Sequence, residues 1–375
     1  MRHVAVIPLI GGFAVAATNV LGKNPEMVLS FCPFTPNDRL YLDYVGGSVP
    51  YRYMDESGFD VPKDVDLVTG VPPCSGLSLA SSTSCADSPV NEWMYKTLEY
   101  VLSVIRPKTY VFENAPSLYT EMGRPVRNRL ECISAGRGYS VTFYRTNSLL
   151  HGVPQNRLRT YCVFLEGDRA PILKRFSRKP KSLKDFLEEI PNNAQGRDLY
   201  AVDDPFFDGY ESVKFMKHRY GEGWRERLFD GKHDNRELYG YFIDEGLMDE
   251  FRSFARDPKT TESIDHIVGN LKKGKSYRSG YGDVRFFRDF VTTVYGGSMS
   301  LMAHPSENRL MNLREYMHLM GMPHGFEITA ADANKIGQNV PVVTSMDMVR
   351  ECVEAGAGNR SLALTNVSMQ NNVGP

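Results

Sequence analysis

Three short segments carry side chains that can do chemistry together. In Val71-Pro72-Pro73-Cys74-Ser75-Gly76 two prolines stiffen a loop directly ahead of a cysteine. A thiol held there can act as a nucleophile once ionised. In Tyr110-Val111-Phe112-Glu113-Asn114-Ala115-Pro116 an apolar run ends in a carboxyl and an amide. Burial would raise the pKa of Glu113 and let it give a proton to a ring nitrogen. In Val153-Pro154-Gln155-Asn156-Arg157-Leu158-Arg159 two arginines alternate, so an extended backbone puts them on one face. Such a pair can grip a carboxylate, a carbonyl or a phosphate. Taken singly, each has a plainer reading: a structural cysteine in a tight turn, a capping Asn beside a surface Glu, an edge-strand ion pair. Their order, and their position at the ends of successive apolar runs, gives them weight together.

Those positions depend on the elements around them. Apolar runs predict strands at His3–Leu9, Met27–Phe31, Asp66–Gly70, Thr109–Glu113, Val141–Asn147 and Thr160–Leu165, with helices at Glu92–Ile105 and Arg124–Ala135 between them. Met94, Leu98, Val101, Leu102 and Ile105 recur at helical spacing, and Pro107 follows. Alternating strands and helices imply an α/β fold with a parallel sheet and ligands at the carboxyl ends of its strands. Residues 166–290 are charge-dense and irregular. They place Phe206, Phe207, Tyr210, Phe215, Tyr220, Trp224, Tyr277, Tyr281, Phe286 and Phe287 among basic residues such as Lys272, Lys273, Lys275, Arg278, Arg285 and Arg288. That composition suits a surface that tracks phosphates, or simply a solvated face. Order returns in 291–375, with helices predicted at Asn312–Met320 and Val340–Cys352 and a polar, fraying tail after Gly356. The chain divides accordingly into 1–165, 166–290 and 291–375, without internal repeats.

With 44 Lys+Arg against 45 Asp+Glu among 375 residues, the net charge of −1 excludes a polybasic, histone-like protein but leaves room for a local basic face. Val4–Val20 superficially resembles a secretory signal. Pro8 and Gly11-Gly12 interrupt it, and a buried strand entering a glycine turn fits better. No other segment has the ~20 apolar residues of a membrane span. The six cysteines are scattered without a CxxC pair, which argues against a zinc site and for free thiols inside a cell.

On these segments the chain resembles the cytosine-C5 DNA methyltransferase family over nearly its whole length. Arg309–Glu315 through Met320-Gly321-Met322-Pro323-His324-Gly325-Phe326 and Ile336-Gly337-Gln338-Asn339-Val340-Pro341 resemble two closing blocks of that family. The resemblance implies a Rossmann-like methyltransferase sheet with a smaller inserted target-recognition domain at 166–290. It implies Cys74 as the nucleophile for cytosine C6 and Glu113 as the acid at N3 and the exocyclic amine. Asn114 orders the loop, Arg159 holds cytosine O2 and the glutamate, and Arg157 supports it. Ser78 lies on a mobile catalytic loop near the phosphates. The partner is double-stranded DNA with the target base flipped from the stack. A monomer in the cytoplasm at the nucleoid of a bacterial or phage-infected cell is implied, with no metal and no membrane.

The donor implied is S-adenosylmethionine, near Ile10, Gly11, Gly12, Ser30, Asp55, Pro73, Gln338, Asn339 and Val340. The sequence departs from the family here. Where the family has Asp-Leu-Phe-x-Gly-x-Gly-Gly, this chain has Ala5-Val6-Ile7-Pro8-Leu9-Ile10-Gly11-Gly12. Ser30 stands where a ribose-binding Glu is expected, and Gln338 where an Asn is. Losing one charged contact costs about 1.5–3 kcal/mol, roughly ten- to hundredfold in affinity. Alternatives are a different one-carbon group placed on cytosine, action on transfer RNA, or a non-catalytic DNA-binding relative. The intact Cys-Glu-Arg set disfavours the last, and the length of 166–290 favours DNA over transfer RNA.

Overall fold

The computed structural model describes residues 1–78, 84–191, 205–229, 233, 235–274, 283–295, 301–358 and 361–363. Its centre is a seven-stranded sheet: β1 His3–Val6, β2 Met27–Ser30, β3 Tyr51–Tyr53, β4 Leu67–Gly70, β5 Thr109–Asn114, β6 Tyr139–Asn147 and β7 Leu158–Glu166. The strand order is β3-β2-β1-β4-β5-β7-β6. The five strands β1 to β5 are parallel. β7 runs antiparallel to both β5 and β6, so the expected all-parallel sheet is corrected at this one strand. The reversal brings the start of β7, where Arg159 sits, beside the end of β5, where Glu113 sits. β3 is the strand that the apolar runs missed. It is three residues long, and its middle residue, Arg52, is exposed.

Helices α1 Gly12–Leu21, α2 Thr35–Tyr44, α3 Asn91–Tyr100 and α4 Arg124–Ala135 flank the sheet, with a closing helix at Val342–Gly356. The predicted helix over Glu92–Ile105 is α3 followed by one wider turn, Val101–Ile105, which ends at Arg106 in the left-handed region. Strand alternation feeds two cores. Tyr110 and Phe112 of β5 and Cys162 and Phe164 of β7 face Leu98, Leu102, Val126 and Leu130. Val111, Tyr161 and Val163 point the other way, onto Phe13, Val340, Met348 and Cys352. Covering both faces explains why these strands read as unbroken apolar runs. Each large side chain buried this way contributes about 1.5–3 kcal/mol.

A second, helical body has its own core, drawn from Phe207, Phe215, Trp224, Phe242, Phe251, Ile264 and Phe286 and continuing to Ala303 and Leu310. This core begins later than residue 166 and ends later than 290. Leu183 and Leu187 pack instead with Tyr41, Tyr316 and Met320 of the sheet domain. The aromatics read as interleaved with basic residues are therefore largely core. Phe215, Trp224 and Phe286 are buried, so they offer no open ring face for a base to stack on. Lys275, Tyr277, Arg278 and Tyr281 lie outside the described residues.

Candidate active site

β4 delivers the cysteine loop. Directly after it, Val71-Pro72-Pro73 leads to Cys74 at the start of the turn Ser75–Leu77. Asn114, the last residue of β5, braces this loop. Its Oδ1 accepts the Ala115 N–H at 2.9 Å, and its Nδ2 lies 3.5 Å from the Pro72 carbonyl. Glu113 is buried at 3 % exposure, and Arg159 Nε stands 2.7 Å from its Oε1. The structure thus brings Cys74, Glu113 and Arg159 into one site. Ser78 is half-buried just past the turn, and residues 79–83 lie outside the described set.

The electrostatics follow from burial. Burial, then the charge of Glu113, pushes the Cys74 thiol above its ordinary pKa, while Arg159 and Arg157 pull it down. Burial likewise raises the Glu113 carboxyl, against the opposing pull of Arg159 and Arg157. The resting site therefore favours a thiol and holds its carboxyl nearer to protonation than a surface glutamate. A substrate proton acceptor facing Glu113 would find a donor.

Arg157 does not share the face of Arg159. The backbone bends at this residue, whose N–H bonds the Gln155 carbonyl at 2.9 Å. The bend breaks the alternation of an extended segment and sends the side chain inward. There Arg157 Nη1 donates to the Val294 carbonyl at 2.7 Å, and Nη2 to the carbonyls of Gly337 and Asn339 at 3.1 and 2.7 Å. It is a buried brace across three segments.

The expected donor residues are placed differently from a ligand-facing set. The Asn339 side chain accepts the Gly12 N–H at 2.9 Å, joining the closing block to the glycine loop. A Cβ on Gly12 would strike Asn339 and the Val340 carbonyl, and one on Gly11 would strike the Tyr41 ring. Ile10 is buried in the core, Gln338 Oε1 lies 3.4 Å from Asn37 Nδ2, and Asp55 is exposed beyond β3. Ser30 is fully buried and gives its hydroxyl to Asp38. Asp38 and Tyr41 of α2 were missed because α2 is a polar stretch without a strong apolar pattern. An acid eight residues past Ser30 was the available signal. The residues present do not fit S-adenosylmethionine as the resemblance would bind it. The ribose acceptor is absent from the end of β2, and the free sides of both glycines are taken by the chain itself.

A further buried group was also missed. His151 Nδ1 lies 2.8 Å from Asp347, and its Nε2 lies 2.8 Å from Thr146, pinning the end of β6 to the closing helix. Among the described residues no group of three or more His, Cys, Asp or Glu is placed to hold a metal ion. Nor is any helix of these residues long and apolar enough to cross a membrane.

A type II methyltransferase of Methanothermobacter thermautotrophicus, M.MthTI, is 26 % identical over 231 residues, covering 58 % of this chain and 67 % of that protein. M1.HphI of Haemophilus parahaemolyticus, another type II methyltransferase, is 34 % identical over 291 residues, covering 74 % of this chain and 66 % of that protein. The chain thus spans about two thirds of each relative's length. Among solved structures, a prophage-encoded Escherichia coli protein described as a DNA modification methyltransferase superposes with a TM-score of 0.59 at 15 % identity, over 96 % of this chain and 99 % of that one. The Entamoeba histolytica methyltransferase EhMeth gives 0.56 at 11 %, over 95 % and 98 %. At these identities the likeness establishes the fold alone, the Rossmann-like sheet shared with these methyltransferases. The family model for C-5 cytosine-specific DNA methylase matches residues 51–354, a span that holds Cys74, Glu113 and Arg159. With that match over most of its length, the chain belongs to the C-5 cytosine-specific DNA methylase family, a family of transferases.

Proposed function

We propose that this chain acts on cytosine in double-stranded DNA and makes its C5 carbon nucleophilic by adding Cys74 to C6. The observation that carries the reading is the Arg159–Glu113 pair at 2.7 Å, set beside a cysteine on the neighbouring strand end. The Cys74 thiolate forms the S–C6 bond. The C5–C6 electron pair moves into C4–C5, and N3 takes up the charge. A proton from Glu113 quenches that charge, and Arg159 keeps the carboxyl aimed and holds O2. C5 is then an enamine carbon that attacks an electrophilic one-carbon group, whose carrier leaves with the bonding pair. Return of the N3 proton to Glu113, loss of the C5 proton to solvent and departure of the thiolate restore the ring. The base must leave the duplex to reach Cys74, at a cost of a few kcal/mol. S-adenosylmethionine is the methyl donor that methyltransferase families generally use. The helical body from Phe207 to Leu310 is the element available to read the duplex, and a monomer working at the genome in the cytoplasm suits this role.

The test needs no donor. Water can protonate the activated C5, so reversal of the addition exchanges its hydrogen. Duplex DNA carrying tritium at cytosine C5 should release tritium to solvent with the wild-type protein and not with Cys74→Ser. No release from the wild type on any duplex would overturn the proposal. Release from transfer RNA alone would move the substrate to RNA.

A further inference from the structure

The space beside the glycine loop is filled from within. Leu9 occupies the place of the first family glycine yet keeps a left-handed backbone at φ 53°, a conformation that disfavours any side chain. Its N–H is not free for a ligand, because it donates to Asp38 Oδ1 at 2.9 Å. The other oxygen of Asp38 accepts the Ser30 hydroxyl at 2.5 Å and the Tyr51 hydroxyl at 3.1 Å. Asp38 is fully buried, and all its contacts are internal. One turn along α2, Tyr41 lies on Gly11, so the backbone surface that the glycine keeps clear meets this chain's own ring. Past Ser30 the chain also packs inward. Phe31 and Phe34 close on Trp93 with ring centroids 4.9 and 5.4 Å apart. The family model, which matches from residue 51, leaves out Leu9, Gly11, Ser30, Asp38 and Tyr41 while spanning Cys74, Glu113 and Arg159.

We infer that α2 plugs the nucleoside slot, with Asp38 on Leu9 and Ser30 and Tyr41 on Gly11, and that this chain does not bind S-adenosylmethionine. The inference rests on the proposed activation of cytosine only in naming the reaction left without that donor. The plug itself stands on the packing. Three features point the same way: a missing ribose acceptor, a carboxylate spent on the loop that should receive the ligand, and a tyrosine on the glycine that should admit it.

Two measurements on the wild-type protein with duplex DNA separate this inference from the reading it builds on. The first is equilibrium dialysis against methyl-labelled S-adenosylmethionine up to about 1 mM, the upper end of ordinary enzyme KM values. The second is tritium release from C5-labelled duplex, with and without that compound. The expected result is no retained label, no label in DNA, and tritium release unchanged by the compound. Stoichiometric retention, or methyl label in DNA, would overturn the plug. Absence of tritium release would overturn the cytosine reading instead, while dialysis would still decide the slot.

Discussion

Arg157 donates to the carbonyl of Asn339 at 2.7 Å, while the side chain of Asn339 receives the N–H of Gly12 at 2.9 Å. One guanidinium therefore ties the segment entering β7, the closing block and the glycine loop together, and reaches Val294 as well. Burial, then the nearby Arg159, brings its pKa down to about 9 against the opposing pull of Glu113, which still leaves the guanidinium charged at neutral pH.

Replacing this brace should be costly to folding. Arg157→Met leaves three buried carbonyls without a donor, at about 1–3 kcal/mol each before relaxation. Urea unfolding should show a loss of about 3 kcal/mol or more. Arg157→Lys should recover only part of it, because a single ammonium cannot span partners in different directions. A variant within 0.5 kcal/mol of the wild type, the usual range for surface changes, would contradict the bracing role.

Glu113→Gln should slow tritium release by about 10²–10⁴, the usual worth of a general acid. Its pH profile is more telling. The active form needs an ionised Cys74 and a protonated Glu113, and burial raises both groups. With the thiol titrating above the carboxyl, the wild-type rate climbs up to the Glu113 pKa, stays level up to the Cys74 pKa, then falls. Over the level stretch the Gln variant, limited by thiolate alone, should instead climb tenfold per pH unit. A level profile in the variant would remove Glu113 from the proton transfer.

Cys74→Ser should reduce release to background while duplex binding survives, since the side chain is a small group at the mouth of a loop. Gel-shift titration beside the exchange assay checks both halves. Lost binding would mean that the loop, and not the thiolate, was disturbed.

Asp283 supplies a stability prediction away from the site. It is buried in the helical body, accepts from Ser212 at 2.6 Å and from the Tyr239 N–H at 3.0 Å, and burial raises it to about 7. A carboxyl raised on folding favours the folded state below its unfolded pKa. That contribution is lost as the pH rises through the folded value. Between about pH 4 and 7 the wild type should lose up to about 4 kcal/mol from this group. Asp283→Asn should therefore gain on the wild type in unfolding experiments at pH 8 relative to pH 5. Parallel behaviour at both pH values would contradict this.

The sequence was most legible where chemistry and apolar patterning coincide. Cys74, Glu113 and Arg159 sit at the ends of strands whose runs are unbroken because both sheet faces are covered. Strand direction is not written in an apolar run, so the reversal of β7 could not be read. Alternation also assumes an extended backbone, and the bend at Arg157 defeats it. The helix at Leu313–Leu319 was marked by its amphipathic pattern and by Gly321 and Pro323 beyond it, and the structure adds a capping box between Asn312 and Glu315. α2 was not, since its buried Asp38 and Tyr41 sit among polar neighbours. The aromatics of the helical body misled because composition cannot distinguish a ring that stacks on a base from one that fills a core.

Phe286 and Phe287 are adjacent on the strand Arg285–Phe287, yet one enters the helical core and the other the sheet-domain core. The strand is a party wall. Turning the helical body as a rigid block about this wall would drag Phe287 through close-packed side chains, which interiors resist. Whatever the helical body does on the proposed duplex, this strand then stays a fixed point of its packing on the sheet domain.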